Sequence, residues 1–454
     1  MNTSDTIIAP ATAPGVGGIA IVRISGADAL SALLSYFRPS AASATLESHR
    51  LYYGALRDRS GCLVDEVMAV YMAAPHTYTR DDVVEIQCHG SQQVITAILS
   101  LYQEHGLRLA EPGEFTYRAF ISGRLDLSQA EAVSRLVHAK TDSARKLSLE
   151  QVGGALSREI YSLAESLKKS LVLIEAWIDF PEEDLPDEDL ISIATTIENA
   201  KSKTLTITSS YTCGRVLTEG ASILLLGQPN VGKSSLLNAL LGEERAIVTE
   251  VPGTTRDFLE EGFVIDGIPL RLVDTAGLCK SGDVVESEGV RRAEEKIPSA
   301  DLLLWVVDST KKLDDLDLYV YNRCVGVPTF LILTKTDLVA EFGDLSFCNF
   351  PIYQISSKTG VGLDGLRRGI SSFFVGDQIS APEAVMLTER RHYEVLLFCL
   401  DCLRRASELL VDGSTLELLA FEIREALDCL GKISGETSTE SLLDDIFSGF
   451  CIGK

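Results

Sequence analysis

A chain of 454 residues is too long for one ordinary hydrophobic core, and common domain sizes put about three or four domains in it. Its 46% hydrophobic and 23% charged residues describe a globular protein and exclude the disordered and fibrous classes. Forty-one basic against 65 acidic residues give a formal net charge of -24. That charge opposes non-specific binding to a polyphosphate chain, so a nucleic-acid substrate needs a partner or a local basic patch to hold it. No apolar run approaches the roughly 18 residues of a membrane span. The opening stretch, Met1 to Pro10, has no basic region ahead of its apolar residues, so the sequence predicts a cytosolic protein without membrane association. The ten cysteines have no regular spacing and are read as reduced thiols, most of them in cores. Cys399 and Cys402 lie one helical turn apart without a second ligand pair, and the six histidines have neither metal nor triad spacing.

In chain order, residues 1–118 alternate short β-type runs, such as Gly18 to Ile24 and Asp82 to Gln87, with turn signals, which predicts a small α+β domain. From about Leu125 the pattern becomes helical. Val152, Leu156, Ile160, Leu163, Leu167, Leu171, Ile174 and Ile178 form one face of a long helix that stops at Pro181, ahead of the acidic loop Glu182 to Asp189. Residues 119–216 are therefore read as the first part of a helical domain. Residues 217–378 switch to β-type runs separated by helical patterns, the signature of a mostly parallel sheet with helices on both faces. Residues 379–454 return to helix, with Leu416, Leu419, Ile423, Leu427 and Leu430 at helical spacing. The expected fold is thus multidomain, α/β plus α. The α/β domain is inserted into one helical domain, because the last stripe buries its apolar face best against the earlier long helix.

The buried-strand pattern Ala221 to Leu226 leads into Gly227-Gln-Pro-Asn-Val-Gly232-Lys233-Ser234 and then a helical run, a P-loop in its required context. Asn230, Val231, Gly232, Lys233, Ser234 and Ser235 are the expected phosphate cradle. There the backbone amides turn inward, Lys233 reaches the β- and γ-phosphates and Ser234 ligates Mg²⁺. Strand Leu270 to Val273 ends in Asp274-Thr-Ala-Gly277, where the acid can hold Mg²⁺ through water and the glycine admits the γ-phosphate. Gly253-Thr-Thr-Arg-Asp257 fits a loop closing over the nucleotide, with Thr255 as second protein ligand of Mg²⁺.

Thr334, Lys335 and Asp337, at the end of the apolar run Phe330 to Leu333, and Ser356, Ser357 and Lys358 after another strand are the expected base-selection loops. The Asp337 carboxylate can accept two hydrogen bonds from guanine, which adenine cannot offer. Thr334 stands where GTPases usually carry Asn, which is expected to weaken a bracing contact and to leave guanine preference intact. Leu278 stands where many small GTPases place a water-orienting Gln. Another residue must position water and something cationic must stabilise the developing charge; Glu286 is one candidate for the first task.

Beyond these motifs the chain carries Pro14-Gly-Val-Gly-Gly-Ile-Ala-Ile-Val-Arg-Ile-Ser-Gly26, Pro112-Gly-Glu-Phe-Thr-Tyr-Arg-Ala-Phe120, Leu125-Asp-Leu-Ser-Gln-Ala-Glu131 and Phe450-Cys-Ile-Gly-Lys454. With them, essentially its whole length resembles the MnmE family, also called TrmE, of tRNA-modifying GTPases. The resemblance implies an N-terminal folate-binding and dimerisation domain, a central helical domain and an inserted G domain. It implies a homodimer that joins an FAD-dependent partner of the MnmG type in a heterotetramer. Together they place an aminomethyl or carboxymethylaminomethyl group on C5 of the wobble uridine of certain tRNAs. The one-carbon unit comes from a tetrahydrofolate in its 5-formyl or methylene form.

Carried onto this chain, the resemblance implies a K⁺ site of Asn230, Thr249, Val251 and Thr254, and Glu286 as the acid that positions water. Arg23, Glu85, Arg124 and Lys454 match folate-binding positions, Arg124 standing where Lys is often found. Cys451 matches a cysteine essential for modification. The competing expectation is a regulatory ribosome-assembly GTPase that leaves RNA chemically unchanged. A basic RNA-binding appendage favours that reading, whereas this chain has the acidic segment Ser441-Leu-Leu-Asp-Asp-Ile-Phe.

Overall fold

Period-2 burial builds the first sheet. A computed structural model describes residues 4–40, 45–180, 187–241, 262–273, 297–339, 345–376, 385–412 and 415–453. They fall into two compact units, one of residues 1–137, 149–197 and 402–454, the other of residues 138–148 and 198–401.

The first unit opens with β1 (Ile7–Pro10), β2 (Gly17–Ser25), α1 (Ala29–Tyr36), β3 (Phe37–Pro39), β4 (Arg50–Arg57), β5 (Leu63–Met72), β6 (Val83–Gly90), α2 (Gln92–Glu104) and β7 (Arg108–Leu109). The seven strands lie in the order β3-β4-β5-β6-β2-β1-β7, antiparallel except for the parallel pair β1 and β7. Ala20, Val22 and Ile24 of β2 and Val84, Ile86 and Cys88 of β6 point to one face, where Leu33 of α1 and Ile98 and Tyr102 of α2 cover them.

Next come α3 (Glu114–Ile121), α4 (Leu127–His138), α5 (Asp142–Val152) and α6 (Ala155–Asp179). The stripe expected to be one helix is interrupted at Gly153 and Gly154, the latter at φ 78°, so Val152 closes α5 and the stripe proper begins at Leu156. Then follow α7 (Asp187–Ser209) and α8 (Tyr211–Glu219).

The second unit's sheet is built from β8 (Ala221–Leu226), α9 (Lys233–Leu241), β9 (Gly262–Ile265), β10 (Ile268–Val273), β11 (Leu302–Asp308), α10 (Asp315–Cys324), β12 (Thr329–Thr334), β13 (Ile352–Gln354) and α11 (Leu363–Val375). Its order is β13-β12-β11-β8-β10-β9, all parallel but for β9, which pairs antiparallel at the edge. Strands β11 and β12 are buried along their whole length, as expected of a parallel sheet covered on both faces. Val216 of α8, Leu236 of α9 and Ile370 of α11 pack on one face, and Val320 and Cys324 of α10 on the other.

The chain continues with α12 (Arg390–Val411), α13 (Leu416–Ser434) and α14 (Glu440–Ser448). Helix α13 packs against α6 as its stripe predicts: Ile423, Ala426 and Leu430 are buried with Ile160, Leu167 and Ile174. Arg424 closes the rim on Glu175 at 2.7 Å. No helix among the described residues is long and apolar enough to cross a membrane.

Ile174 has no exposed surface, so Ile174→Ala is expected to lower stability by about 2–5 kcal/mol. Val172, 64% exposed on the same helix, should tolerate alanine within about 0.5 kcal/mol. Urea unfolding followed by circular dichroism compares the two.

Candidate functional site

The turn between β8 and α9 is set by what it lacks. Gly227 has φ 143°, and a Cβ there would stand 2.2 Å from the carbonyl oxygen of Val306 on the neighbouring strand, so only glycine lets the loop leave the sheet. Gly232, at φ 103°, completes the reversal that starts α9. The Lys233 ammonium lies folded back into the loop and donates to the carbonyls of Gly227 at 2.6 Å and Gln228 at 2.7 Å. Burial pulls its pKa down to about 8. Ser234 and Ser235 open the helix with exposed side chains, the position from which a hydroxyl can ligate a cation beside bound phosphate.

Parallel pairing brings the ends of β8, β11 and β12 to one edge of the sheet. The Thr334 hydroxyl donates to the Val231 carbonyl at 2.5 Å and approaches that of Val307 at 3.1 Å. The Thr334 side chain, 2% exposed, sits deep enough to reach the loop backbone. Lys335, at φ 58°, reaches the Asn230 carbonyl at 3.1 Å and the Asp308 carboxylate at 2.5 Å. Asp337 lies exposed in the short 3₁₀ turn Thr336–Leu338. A backbone bond from Thr336 to Ile355, 3.3 Å long, ties this turn to the loop of Ser356, Ser357 and Lys358. Ser356 itself is buried and its hydroxyl accepts from the Thr359 amide at 3.3 Å. Residues 230–235, 334–337 and 356–358 thus converge.

Thr249, Val251, Thr254, Thr255, Asp274, Gly277, Glu286 and Lys454 lie outside the described residues. Asp308 was missed in sequence. An acid closing an otherwise apolar strand, the signal that singled out Asp274, was available for it.

A second site lies in the first unit. Arg23 of β2 stands directly opposite Glu85 of β6, and its guanidinium holds one carboxylate oxygen at 2.7 and 2.9 Å. The pair lines a cavity of about 270 Å³ with Met72, Tyr78, Val83 and Val133. Arg124 donates to the Tyr78 carbonyl at 2.8 Å and lies 4.7 Å over its ring. Arg23 lies 5.7 Å from the Phe115 ring centre and 6.0 Å from that of Tyr78. A carboxylate, a guanidinium and the Tyr78 ring around a space of this size suit a flat heterocycle with amide-like edges. Tyr78 and Phe115 carry no spacing signal that could have marked them in sequence.

The segment Phe450 to Gly453 is drawn to the same place. Phe450 is buried against Phe447, and the Gly453 carbonyl accepts from Arg23 at 3.3 Å. A Cβ on Gly453 would lie 2.1 Å from the Pro10 carbonyl. Cys451, two residues before it, is exposed. Cys399 and Cys402 are buried in α12, where they pack as core side chains.

The fold and its converging loops define a P-loop nucleotide-binding domain of the G-domain type in a chain that also carries a helical and an α+β part. Residues 6–124 match the family model described as GTP-binding protein TrmE N-terminus, and residues 127–451 that described as MnmE helical domain. The chain is 45% identical over 456 residues to the tRNA modification GTPase MnmE of Syntrophotalea carbinolica, covering 100% of both chains. It is 45% identical over 458 residues to that of Geobacter sulfurreducens, again with 100% of both covered. The G domain of the T. maritima FeoB iron transporter aligns at 28% identity with a TM-score of 0.26, covering 34% of this chain and 98% of that one. The chain belongs to the MnmE family.

A phosphate beside Lys233 favours the ammonium and opposes the effect of burial. Nucleotide binding should therefore take up a proton above about pH 8, and the lysine's contribution to affinity should be full below that pH and decline above it. Competitive labelling with an amine-reactive reagent over a pH series, read by peptide mass spectrometry, should show Lys233 reactivity inflecting near pH 8 in the free protein. The inflection should move to higher pH with GDP bound.

Proposed function

We propose that this chain is a GTPase of tRNA modification that acts with an FAD-dependent partner on C5 of the wobble uridine of certain tRNAs, installing an aminomethyl or carboxymethylaminomethyl group. The observation that carries the reading is end-to-end identity with proteins named tRNA modification GTPase, extending well beyond the G domain. A regulatory ribosome-assembly GTPase accounts for the P-loop but not for a relationship that also covers the α+β and helical parts.

In this reading the amides of residues 230–235 cradle the GTP phosphates, Lys233 bridges β and γ, and Asp337 reads the guanine edge. Ser234 and Thr255 hold Mg²⁺; Asn230, Thr249, Val251 and Thr254 hold K⁺. Asp274 would help to hold Mg²⁺, and Gly277 would admit the γ-phosphate. When bound, the two cations supply the charge stabilisation that Leu278 leaves unfilled. Glu286 orients the attacking water. Lys335 packs against the P-loop and Ser356, Ser357 and Lys358 complete the base pocket.

The cavity beside Arg23 and Glu85 takes the ring of a tetrahydrofolate derivative, in its 5-formyl or methylene form. Glu85 pairs with amide-like ring edges, Arg124 and Tyr78 offer a stacked cationic face, and Lys454 is a further folate-binding residue. Cys451 serves the modification from the segment that the Gly453 contact draws to Arg23. A homodimer, joined to the partner in a heterotetramer in the cytoplasm, supplies the tRNA-holding surface that a net charge of -24 withholds.

The deciding experiment incubates unmodified tRNA with this protein, the flavoprotein partner, GTP, K⁺, a one-carbon folate, reduced flavin and ammonium or glycine. Nucleoside mass spectrometry should show a GTP-dependent mass gain at the wobble uridine. Cys451→Ser should abolish the gain and leave GTP hydrolysis intact; equal loss of both activities counts against a separate role for that residue. Absence of any gain, with hydrolysis and partner binding intact, moves the assignment to the ribosome-assembly class. Separately, phosphate release should be faster in K⁺ than in Na⁺ at equal ionic strength, and equal rates remove K⁺ from the mechanism.

A further inference from the structure

Asp308 ends β11 with a carboxylate that is only 2% exposed. One of its oxygens accepts from the Thr310 amide at 3.0 Å and the Thr310 hydroxyl at 2.7 Å. The other accepts from the Lys335 ammonium at 2.5 Å. Burial pushes the acid's pKa up, but the hydrogen bonds from Lys335 and Thr310 outweigh it and hold the group below its usual range, so it is an anion at neutral pH. Strand pairing explains the encounter: β11 and β12 run parallel with Asp308 beside Thr334, which places Lys335 just past the acid.

Lys335 alone has little to fix it. Its side chain is 38% exposed, its stem is flexible, and its backbone holds the left-handed conformation that non-glycine residues disfavour. The same ammonium also donates to the carbonyl of Asn230, itself at φ 63°. A carboxylate locked by Thr310 therefore holds a lysine that in turn holds the P-loop at the residue before Val231.

We infer that Asp308 is a positioning residue for guanine-nucleotide binding, an anchor that fixes Lys335 and through it joins the base-recognition loop to the P-loop at Asn230. The inference rests on reading Thr334 to Asp337 as the base-recognition loop. It concerns how that loop is held, not which edge of the base is read.

Calorimetric titration of the full chain with GDP and with inosine diphosphate, which lacks the 2-amino group, tests it. Asp308→Asn should weaken GDP binding by about tenfold or more and weaken inosine diphosphate by the same factor. Lys335→Met should weaken GDP comparably. The double variant should be no weaker than the worse single one, because both changes break the same bridge. Losses that multiply in the double variant, unchanged GDP affinity in Asp308→Asn, or an altered ratio between the two ligands would overturn the inference. Thermal unfolding checks that each variant is folded, and Asp308→Ser, which keeps a hydroxyl for Thr310, replaces the Asn variant if that one fails to fold. Asp337→Asn separates the two readings. It should collapse the preference for GDP over inosine diphosphate; if it does not, the base-loop reading itself fails, whereas a silent Asp308 beside a responsive Asp337 removes the bridge alone.

Discussion

A side chain at position 227 would strike the Val306 carbonyl, and the geometry of the nucleotide site follows from that exclusion. With glycine there, the loop leaves β8 close against β11, and its remaining carbonyls are within reach of side chains from the strand ends beside it. Lys233 takes those of Gly227 and Gln228, Thr334 takes that of Val231, and Lys335 takes that of Asn230. Four consecutive or near-consecutive carbonyls held this way direct the loop's polarity. With the oxygens engaged on the protein side, the N–H groups of Gln228, Val231 and Gly232 on the same peptides are left to serve an anion, Pro229 having none.

The first unit uses a different device for a similar end. Glu114 and Arg118 are buried on α3, 2.9 Å apart. Asp5 bonds Arg118 at 2.7 Å and Arg108 at 2.7 Å, and Arg108 also bonds Glu114 at 2.6 Å. Buried charge is costly unless it is paired and hydrogen-bonded, and this four-residue network ties α3 to β7 and to Asp5. Phe115 is thereby placed beside Arg23. The network also sets Gly113, at φ 67°, whose missing side chain leaves room for the Phe447 carbonyl and the Phe450 ring. The seat of the segment bearing Cys451 thus depends on this network.

What the sequence made legible was chemistry tied to local backbone rules. The P-loop declares itself because the strand, the glycines and the helix start are contiguous, and the α6 and α13 stripes declare themselves because helical packing has a period. The break at Gly153 and Gly154 was written in the sequence as well, yet two glycines in an otherwise regular apolar spacing are outweighed when only the stripe is counted. Asp308 was hidden for another reason. Its importance lies in a partner 27 residues away that becomes a neighbour only once β11 and β12 pair. Tyr78 is harder still, since its packing against Arg23 and Arg124 joins three remote positions in a cavity that no periodicity announces. Thr334 was read by comparison with a commoner residue; whether a hydroxyl reaches the Val231 carbonyl is a matter of depth in the sheet, which sequence does not state.

The overall acidity of the chain and its two candidate sites are compatible because they act over different distances. Surface charges are screened within about 8 Å at physiological salt, so a net charge of -24 governs encounters with a large polyanion and has little purchase on a phosphate already enclosed by loop amides. Inside the loop, burial weakens the Lys233 ammonium, and an incoming phosphate opposes that weakening. At the other site Glu85 is neutralised where it stands by Arg23, leaving Arg124 to set the sign of the field over Tyr78. Each site therefore carries its own local electrostatics, and the acidic exterior bears on the one ligand that must be held from outside, an RNA.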